Sequence, residues 1–596
     1  MPHEHAGEKL IIANCSGFYG DRFSAMKEMV EDGEIHVLTG DYLAELTMAL
    51  LFKARRKDPS LGYAGTFLKQ MEQVMGTCLE RGIRVVANAG GLNPKGLCAA
   101  LEKMAAALGL SPIIACIEGD DLMPNLAGLQ KGGEAFCHLD RDTPLSEGGV
   151  FPITANAYLG GWGITEALSQ GADIVIGGRL ADAALVSGPS AWHFGWKRDD
   201  WDALAGAVAA GHVIECGTQA TGGNYSHFEE VPSWTKVGFP LAVMDQDGSS
   251  VITKHEGTGG LVSVGTVTAQ LLYEIESPAY LNPDVTARFD TLHVAEDGKN
   301  RVRLSGCKGT SPPATAKVCI NTIGGYRNTI SVLLTGLDPD EKARIVEEML
   351  FDGPDGRDGF ASVETQLLRC AHTCPRCMEE AMNLLRITVR DPDEKKVGRA
   401  FTAKVVELAL SSIPGFNLTA PPAPAVPETI HWPALIHKGN LCEAVHIKGT
   451  TFLVDPVEGS GAGALPPDTP GDKTPAAGAT VTLPMGHLFA TRSGDKGGNA
   501  NLGVWAKTPE AFHFLQEALT PTRLKELLPD LAPFAVDRWS LPNLNAVNFY
   551  IRGLLGDGVA ASSRIDAQAK TLGEYLRCQP MEVPAALGEQ CVSHPR

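Results

Sequence analysis

The sharpest change of hydrophobic periodicity in the chain lies between Ile83 and Met104. Arg84–Ala87 is a short, apolar, β-branched run, and from Pro94 onward Leu97, Leu101 and Met104 recur on one helical face. A strand and a helix are therefore predicted on either side of the Gly- and Asn-rich segment Asn88–Asn93. The same order recurs along the first part of the chain. Leu10–Ala13 precedes a helix from about Phe23, and Ile35–Leu38 precedes a helix near Glu45. Pro112–Ile117 leads into Glu118-Gly119-Asp120-Asp121, and a helix around Ile164–Ser169 feeds the strand Ala172–Ile176. Five strands alternating with helices predict an α/β lobe, a doubly wound and mostly parallel sheet, over residues 1–235.

Beyond Gly217 the pattern becomes irregular, and residues 236–455 are expected to form an α+β second lobe. Its predicted elements are strands at Thr329–Leu334 and Met382–Val389 and helices at Pro339–Leu350 and Val397–Ser411. Residues 456–479, with Pro466, Pro467, Pro470 and Pro475, have the composition of an extended linker. A small α+β domain is expected over 480–596, with strands Thr480–Leu483 and Leu502–Trp505 flanking a polar loop, Arg492–Asn501, and helices at Pro509–Leu519 and from Leu554 onward.

Composition narrows the function classes. A chain of 596 residues exceeds a single core. The balance of 51 basic against 70 acidic residues, a net charge of −19, argues against nucleic acid or an anionic membrane as the main partner. Neither a long apolar run nor a signal-peptide pattern is present, so a cytoplasmic location is expected, and the 14 scattered cysteines fit reduced thiols. The expected partners are a small-molecule substrate and further copies of the chain in a homo-oligomer.

In a parallel sheet the residues following each strand share one rim, where open α/β sheets bind ligands. Asp21, Arg22, Asp41, Glu45, Asn88, Asn93, Glu118, Asp120, Arg179 and Asp182 all occupy such places. Asp41, Glu45 and Asp182 are candidate proton-transfer groups, and Arg179, with Asn88 and Asn93, is a candidate anchor for a substrate anion. Helix capping is the competing role for Asp21 and Asp41. Gly90, Gly91, Gly259 and Gly260 could present backbone amides to an anion, although tight strand-to-helix turns explain Gly90 and Gly91 equally well. Asn88–Asn93 does not match the dinucleotide fingerprint, and no P-loop, H-E-x-x-H or G-x-S-x-G occurs. Asp495 and Lys496 lie in the polar segment Arg492–Asn501, which carries too many charged and Gly residues for a mere connection. Cys370, Cys374 and Cys377 have the spacing of a three-thiolate cluster, and His372 could complete a zinc set, but a thiol cluster without metal is the default expectation. No cofactor is predicted; coenzyme A is a possible moiety of the substrate.

Several of these motifs together resemble the acyclic terpene utilisation (AtuA) family along nearly the whole chain. They are Asn14-Cys15-Ser16-Gly17-Phe18-Tyr19-Gly20-Asp21, Thr39-Gly40-Asp41-Tyr42-Leu43-Ala44-Glu45, Asn88-Ala89-Gly90-Gly91-Leu92-Asn93-Pro94, Gly177-Gly178-Arg179 and Arg492-Ser493-Gly494-Asp495-Lys496-Gly497. The resemblance implies a long family domain followed by a small ferredoxin-like domain, and a setting in the catabolism of branched acyl-CoA or related carboxylates. With the crowded rim, it leads to the expectation of a lyase or hydratase acting on such a compound. The alternative is a non-catalytic accessory or scaffold subunit of an acyl-CoA-processing complex.

Overall fold

The structure is a computed structural model that describes residues 8–460, 463–468 and 479–592. It divides into two compact units, residues 1–321 with 431–559 and 568–596, and residues 322–430 with 560–567. No helix among the described residues is long and apolar enough to cross a membrane.

All five strands predicted in the first lobe form in the first unit. β1 (Leu10–Asn14), β2 (Val37–Gly40), β3 (Arg84–Ala87), β4 (Ile114–Glu118) and β6 (Ile174–Gly177) pair in parallel in the order β1-β2-β3-β6-β4. β5 (Pro152–Ala157) stands outside this sheet. Helices cover both faces. Leu38, Val85, Ala87 and Ile176 pack with Met26, Phe67, Met71, Leu97 and Leu101 on one side, and Ile12, Val37, Val86 and Val175 pack with Ile164, Leu168 and Val208 on the other.

The sheet as a whole is mixed, which corrects the expectation of a mostly parallel one. β7 (Pro240–Met244) and β8 (Ser250–Lys254) extend it antiparallel beyond β1, followed by Val302–Ser305 and His293–Glu296. On the opposite edge Glu443–Ile447 pairs antiparallel with β4, followed by Thr450–Val454. The cause is local: only residues 245–249 join β7 to β8, and a parallel crossover needs a dozen or more. One sheet therefore runs across residue 235, where the sequence pattern placed a lobe boundary.

The second unit contains the predicted helix Pro339–Leu350, and the predicted second helix shortens to Phe401–Ser411. Both cover the apolar face of an antiparallel sheet through Ile330, Val332, Leu385, Ile387 and Val389. On its polar side Arg327, Arg386 and Arg390 donate to the carbonyls of Ser562, Ser563 and Ala561, respectively.

Near the C-terminus the first unit carries a four-stranded antiparallel sheet in the order Phe489–Lys496, Asn499–Ala506, Ala546–Ile551, Val536–Leu541. Strand alternation divides its residues. Ala500, Leu502, Val504, Val547, Phe549 and Ile551 enter an apolar core with Phe512, Leu515, Leu524 and Leu576. Arg492, Gly494, Lys496, Asn499, Asn501 and Asn548 occupy the alternate positions. The predicted polar loop Arg492–Asn501 is thus the tips of two strands and their turn, because its polar residues alternate with residues that face the core. The helix expected from Leu554 is replaced by turns; a helix forms instead at Leu572–Arg577. Within the predicted linker, Leu465 accepts from Trp539 Nε1 at 2.9 Å and Asp468 N donates to Arg538 O at 2.7 Å. Pro470 and Pro475 lie outside the described residues.

Buried amides hold the polar face of this small sheet against the loop after the helix Val264–Leu271. Asn501 Nδ2 donates to Leu272 O at 2.6 Å, its Oδ1 accepts from Glu274 N at 2.8 Å, and Asn548 Nδ2 donates to Ile275 O at 3.2 Å and Glu276 O at 2.9 Å. Replacing Asn548 by Ala strands those carbonyls without their donor. Asn548→Ala should lower stability by about 1–3 kcal/mol, the cost of buried polar groups left unpaired. Urea denaturation monitored by tryptophan fluorescence measures it, and an unchanged midpoint would show that these amides do not hold the face in place.

Candidate functional site

The carboxyl ends of the parallel strands gather charged and amide side chains in one buried, chamber-like cluster. Asp41, just beyond β2, accepts hydrogen bonds at Oδ1 from Asn88 Nδ2 at 2.7 Å and Leu43 N at 2.9 Å, and Asn88 Oδ1 accepts from Tyr42 N at 2.8 Å. Asn88 follows β3, so these bonds tie two adjacent strand ends together. Arg179, just beyond β6 and 3% exposed, donates through Nη1 to Asp182 Oδ1 at 2.7 Å and to Leu180 O at 3.0 Å. Its guanidinium stands 4.1 Å from the centre of the Tyr158 ring, and its backbone N–H donates to Asp120 Oδ2 at 2.8 Å. Asp120, beyond β4, accepts at the same oxygen from Asn156 Nδ2 at 2.8 Å. Three strands thus supply Asp41, Asn88 and Arg179 to a common place.

Burial and like charge set the protonation states here. Burial, with Asp182 nearby, pushes the Asp41 carboxyl well above its ordinary range, although Arg179, Asn88 and the Leu43 amide pull the other way. Burial disfavours the Arg179 charge, but Asp182, Tyr158 and Asp41 outweigh it and hold the proton more firmly than usual. The group at the centre is therefore a fixed cation facing acids of which at least one keeps its proton.

Residues that the strand-end argument overlooked complete the chamber. The helix Trp201–Ile214 is apolar around nearly its whole circumference, yet carries His212, and Glu215 follows immediately. Burial, reinforced by Asp182 and Glu274, raises the Glu215 carboxyl well above its ordinary range despite Lys496 and Arg179. Cys216 is also pushed up, first by burial and then by Glu215 and Glu274, which keeps it a thiol. His212 Nδ1 lies 3.4 Å from Glu215 Oε1, and its ring packs against Tyr280 and Phe289 with centroids 4.7 and 5.5 Å away. A polar pair at the end of an otherwise apolar helix was the signal available in the sequence.

The C-terminal sheet contributes two more cations. Arg492 stacks over Tyr273 at 4.0 Å and bonds Gln219, and Lys496 stands 5.7 Å from the Tyr280 ring centre. Positions 492, 494 and 496 share one face of their strand, and Gly494 between the two cations leaves room for the Tyr273 ring, which a Cβ would strike. Lys496 and Glu274 both act electrostatically on Glu215 and His212.

The remaining candidates have different placements. Asn93 caps its helix, accepting from Gly96 N at 3.0 Å and donating to Ser60 O and Leu61 O, apart from the chamber. The amides proposed to receive an anion are taken internally: Gly90 N by Gly177 O, Gly91 N by Asn88 O, Gly259 N by Lys236 O and Gly260 N by Ser233 O. Asp21 is occupied by Gly17 N and Arg22 N, while Arg22 bonds Glu28 and Val237 O. Glu118 bridges Lys95 and His446. Asp495, next to Lys496, acts electrostatically on Tyr273. The Glu45 side chain lies outside the described residues. Cys370, Cys374 and Cys377 are exposed, and among the described residues no group of three His, Cys, Asp or Glu side chains is placed to hold a metal.

A pH-dependent stability follows from Asp120, whose burial lifts its pKa from 3.8 to about 6. The native state then holds a proton that the unfolded chain releases near pH 4, so the contribution is complete below pH 4 and is lost as pH rises through about 6. Its full size is roughly 3 kcal/mol by the relation between pKa and free energy. Asp120→Asn should therefore flatten the fall in stability between about pH 4 and 6, as read from urea midpoints across that range.

No curated protein matches this chain. Residues 483–582 match the AtuA ferredoxin-like domain, and residues 10–447 match the family described as acyclic terpene utilisation family protein AtuA. The larger match spans more than half of the sequence and takes in every parallel-strand end that builds the chamber, so the chain belongs to the AtuA acyclic terpene utilisation family.

Proposed function

We propose that the chain is an enzyme that moves protons on an anionic substrate, a branched acyl-CoA or related carboxylate, as a hydratase or lyase. The family's description connects it with acyclic terpene utilisation, and the reaction class is inferred from the chamber. The observation that carries it is the interleaving of acids held protonated, Asp41 and Glu215, with the ion pair Asp182–Arg179 and the cations Arg492 and Lys496. Hydration of a carbon–carbon double bond conjugated to a thioester needs a base to take a proton from water as its oxygen bonds the β-carbon, and an acid to give a proton to the α-carbon. Dehydration is the reverse. In this scheme Asp182 serves as base and Asp41 as acid; both bonds to Asp41 fall on Oδ1, which leaves Oδ2 to carry the proton. Arg179 and Arg492 take the substrate anion and the charge developing on the thioester oxygen.

The test is turnover of branched 2-enoyl-CoA esters and their 3-hydroxy counterparts by the full chain. Asp41→Asn, Asp182→Asn and Arg179→Ala should each reduce kcat/KM at least a hundredfold, the scale for loss of an acid–base or charge-stabilising group. Asp41→Asn should keep the fold, because its amide oxygen can accept the same two bonds. Rates near wild type in Asp41→Asn and Arg179→Ala together would remove the assignment.

A further inference from the structure

Two polar side chains in the chamber are buried beyond nine-tenths and, among the described residues, keep atoms without a well-aligned hydrogen bond. His212 is 1% exposed, and its contacts with Glu215 Oε1 at 3.4 Å and with the Gln270 backbone fall short of good hydrogen-bond geometry, while Oε2 of Glu215, 8% exposed, has no hydrogen-bond partner among the described residues. Buried polar atoms are almost always paired, and leaving one unpaired is costly, so their concentration in one adjacent pair calls for a partner. The surroundings restrict what that partner is. The imidazole packs at tilts of 53° and 49° against the Tyr280 and Phe289 rings, which restrict how it can turn. Burial and Lys496 lower its pKa to about 4, so at neutral pH it offers one N–H and one lone pair. Glu215 keeps its proton and likewise presents both a donor and an acceptor. A neutral pair of this kind suits an uncharged group that both donates and accepts, and a hydroxyl does both where a carbonyl only accepts. A carboxylate is better served by Arg179 and Arg492.

We propose that His212 and Glu215 form a seat for a substrate hydroxyl, so that the chamber takes hydroxy-carboxylates or hydroxyacyl thioesters, the anionic end lying toward Arg179 and Arg492. This rests on taking the chamber as a site for an anionic substrate and adds what it demands of the other end. Sites built to hydrogen-bond a hydroxyl discriminate strongly against the analogue lacking it, because their own polar atoms are then left unpaired. His212 is in this sense a specificity-determining residue.

Calorimetric titration of the full chain with matched pairs tests it: 3-hydroxybutyryl-CoA against butyryl-CoA, and 3-hydroxy-3-methylbutyrate against 3-methylbutyrate. The hydroxy member of at least one pair should bind at least about tenfold more tightly, a difference that a pair of hydrogen bonds supplies. His212→Phe preserves the aromatic packing and deletes both nitrogens; it should erase the preference, leave affinity for the deoxy member unchanged and keep the thermal midpoint at or above that of wild type. Wild-type affinities within twofold in both pairs overturn the proposal, whether or not the variant folds, and so does a preference that survives in His212→Phe. Equal binding that Arg179→Ala abolishes defeats this inference alone. Failure of all four compounds to bind defeats it together with the anionic-substrate assignment.

Discussion

A guanidinium taken out of water cannot shed its proton, so the protein around it must supply anions and oriented dipoles or give up the fold. Arg179 imposes that demand at the carboxyl edge of the parallel strands. Asp182 answers with a direct ion pair and Leu180 with a carbonyl, while the Tyr158 ring lies beneath the charge. Asp120 fixes the backbone on which Arg179 sits. The cation in turn decides what nearby carboxyls do. It moderates the rise imposed on Asp41 and Glu215 by burial, without overcoming it. More acids than this cation can neutralise occupy the chamber, and the surplus is met by protonation and by Arg492 and Lys496 from the C-terminal sheet.

That division explains why the small domain carries a polar sheet face. An antiparallel sheet with one solvated face usually shows polar side chains there, but here Asn501 and Asn548 turn theirs into hydrogen bonds with backbone of the 272–276 loop. These bonds set the height at which Arg492 and Lys496 stand over Tyr273 and Tyr280. Fold and chemistry depend on the same contacts: the asparagines position the strand, and the strand positions the cations.

What the sequence disclosed follows from which signals are local. A strand buried on both faces reads as an unbroken apolar run, so β1, β2, β3, β4 and β6 were legible, and with them the placing of Asp41, Asn88, Arg179 and Asp182 just beyond strand ends. Sheet edges depend on pairing between distant segments, which leaves no periodic mark; nothing in Glu443–Ile447 announces that it pairs with β4. Glu215 and His212 were missed because they belong to a helix, not a strand end, and reach the chamber only through the way that helix crosses the sheet. Arg492–Asn501 has the composition of a loop, since alternating Arg, Gly and Lys resembles a connection, but the opposite face of the same hairpin packs Leu502 and Val504. Asn93 was set beside Asn88 by proximity in sequence, but five residues are enough to turn one from the site amide into a helix cap.

Glycines shape the surroundings of the buried acids. Near-neighbour Gly residues at strand ends invite a phosphate-binding interpretation, yet several glycines here do something else: they leave recesses that buried polar side chains fill. A Cβ on Gly178 would strike the Asp120 carboxyl, one on Gly160 the Asp284 carboxyl, one on Gly163 Glu443, and one on Gly494 the Tyr273 ring. A carboxyl pressed against bare backbone is shielded from water and close to amide dipoles, the combination that raises its pKa by desolvation while still orienting it. Asp120 shows both effects, with its pKa lifted to about 6 and the amide of Arg179 bonded to its oxygen. Absence of a side chain at one position thus sets the proton affinity of a carboxyl from another strand. On this account the glycine at position 178 is dictated by the acid it accommodates, and replacing it would alter the protonation of Asp120 before it altered any ligand contact.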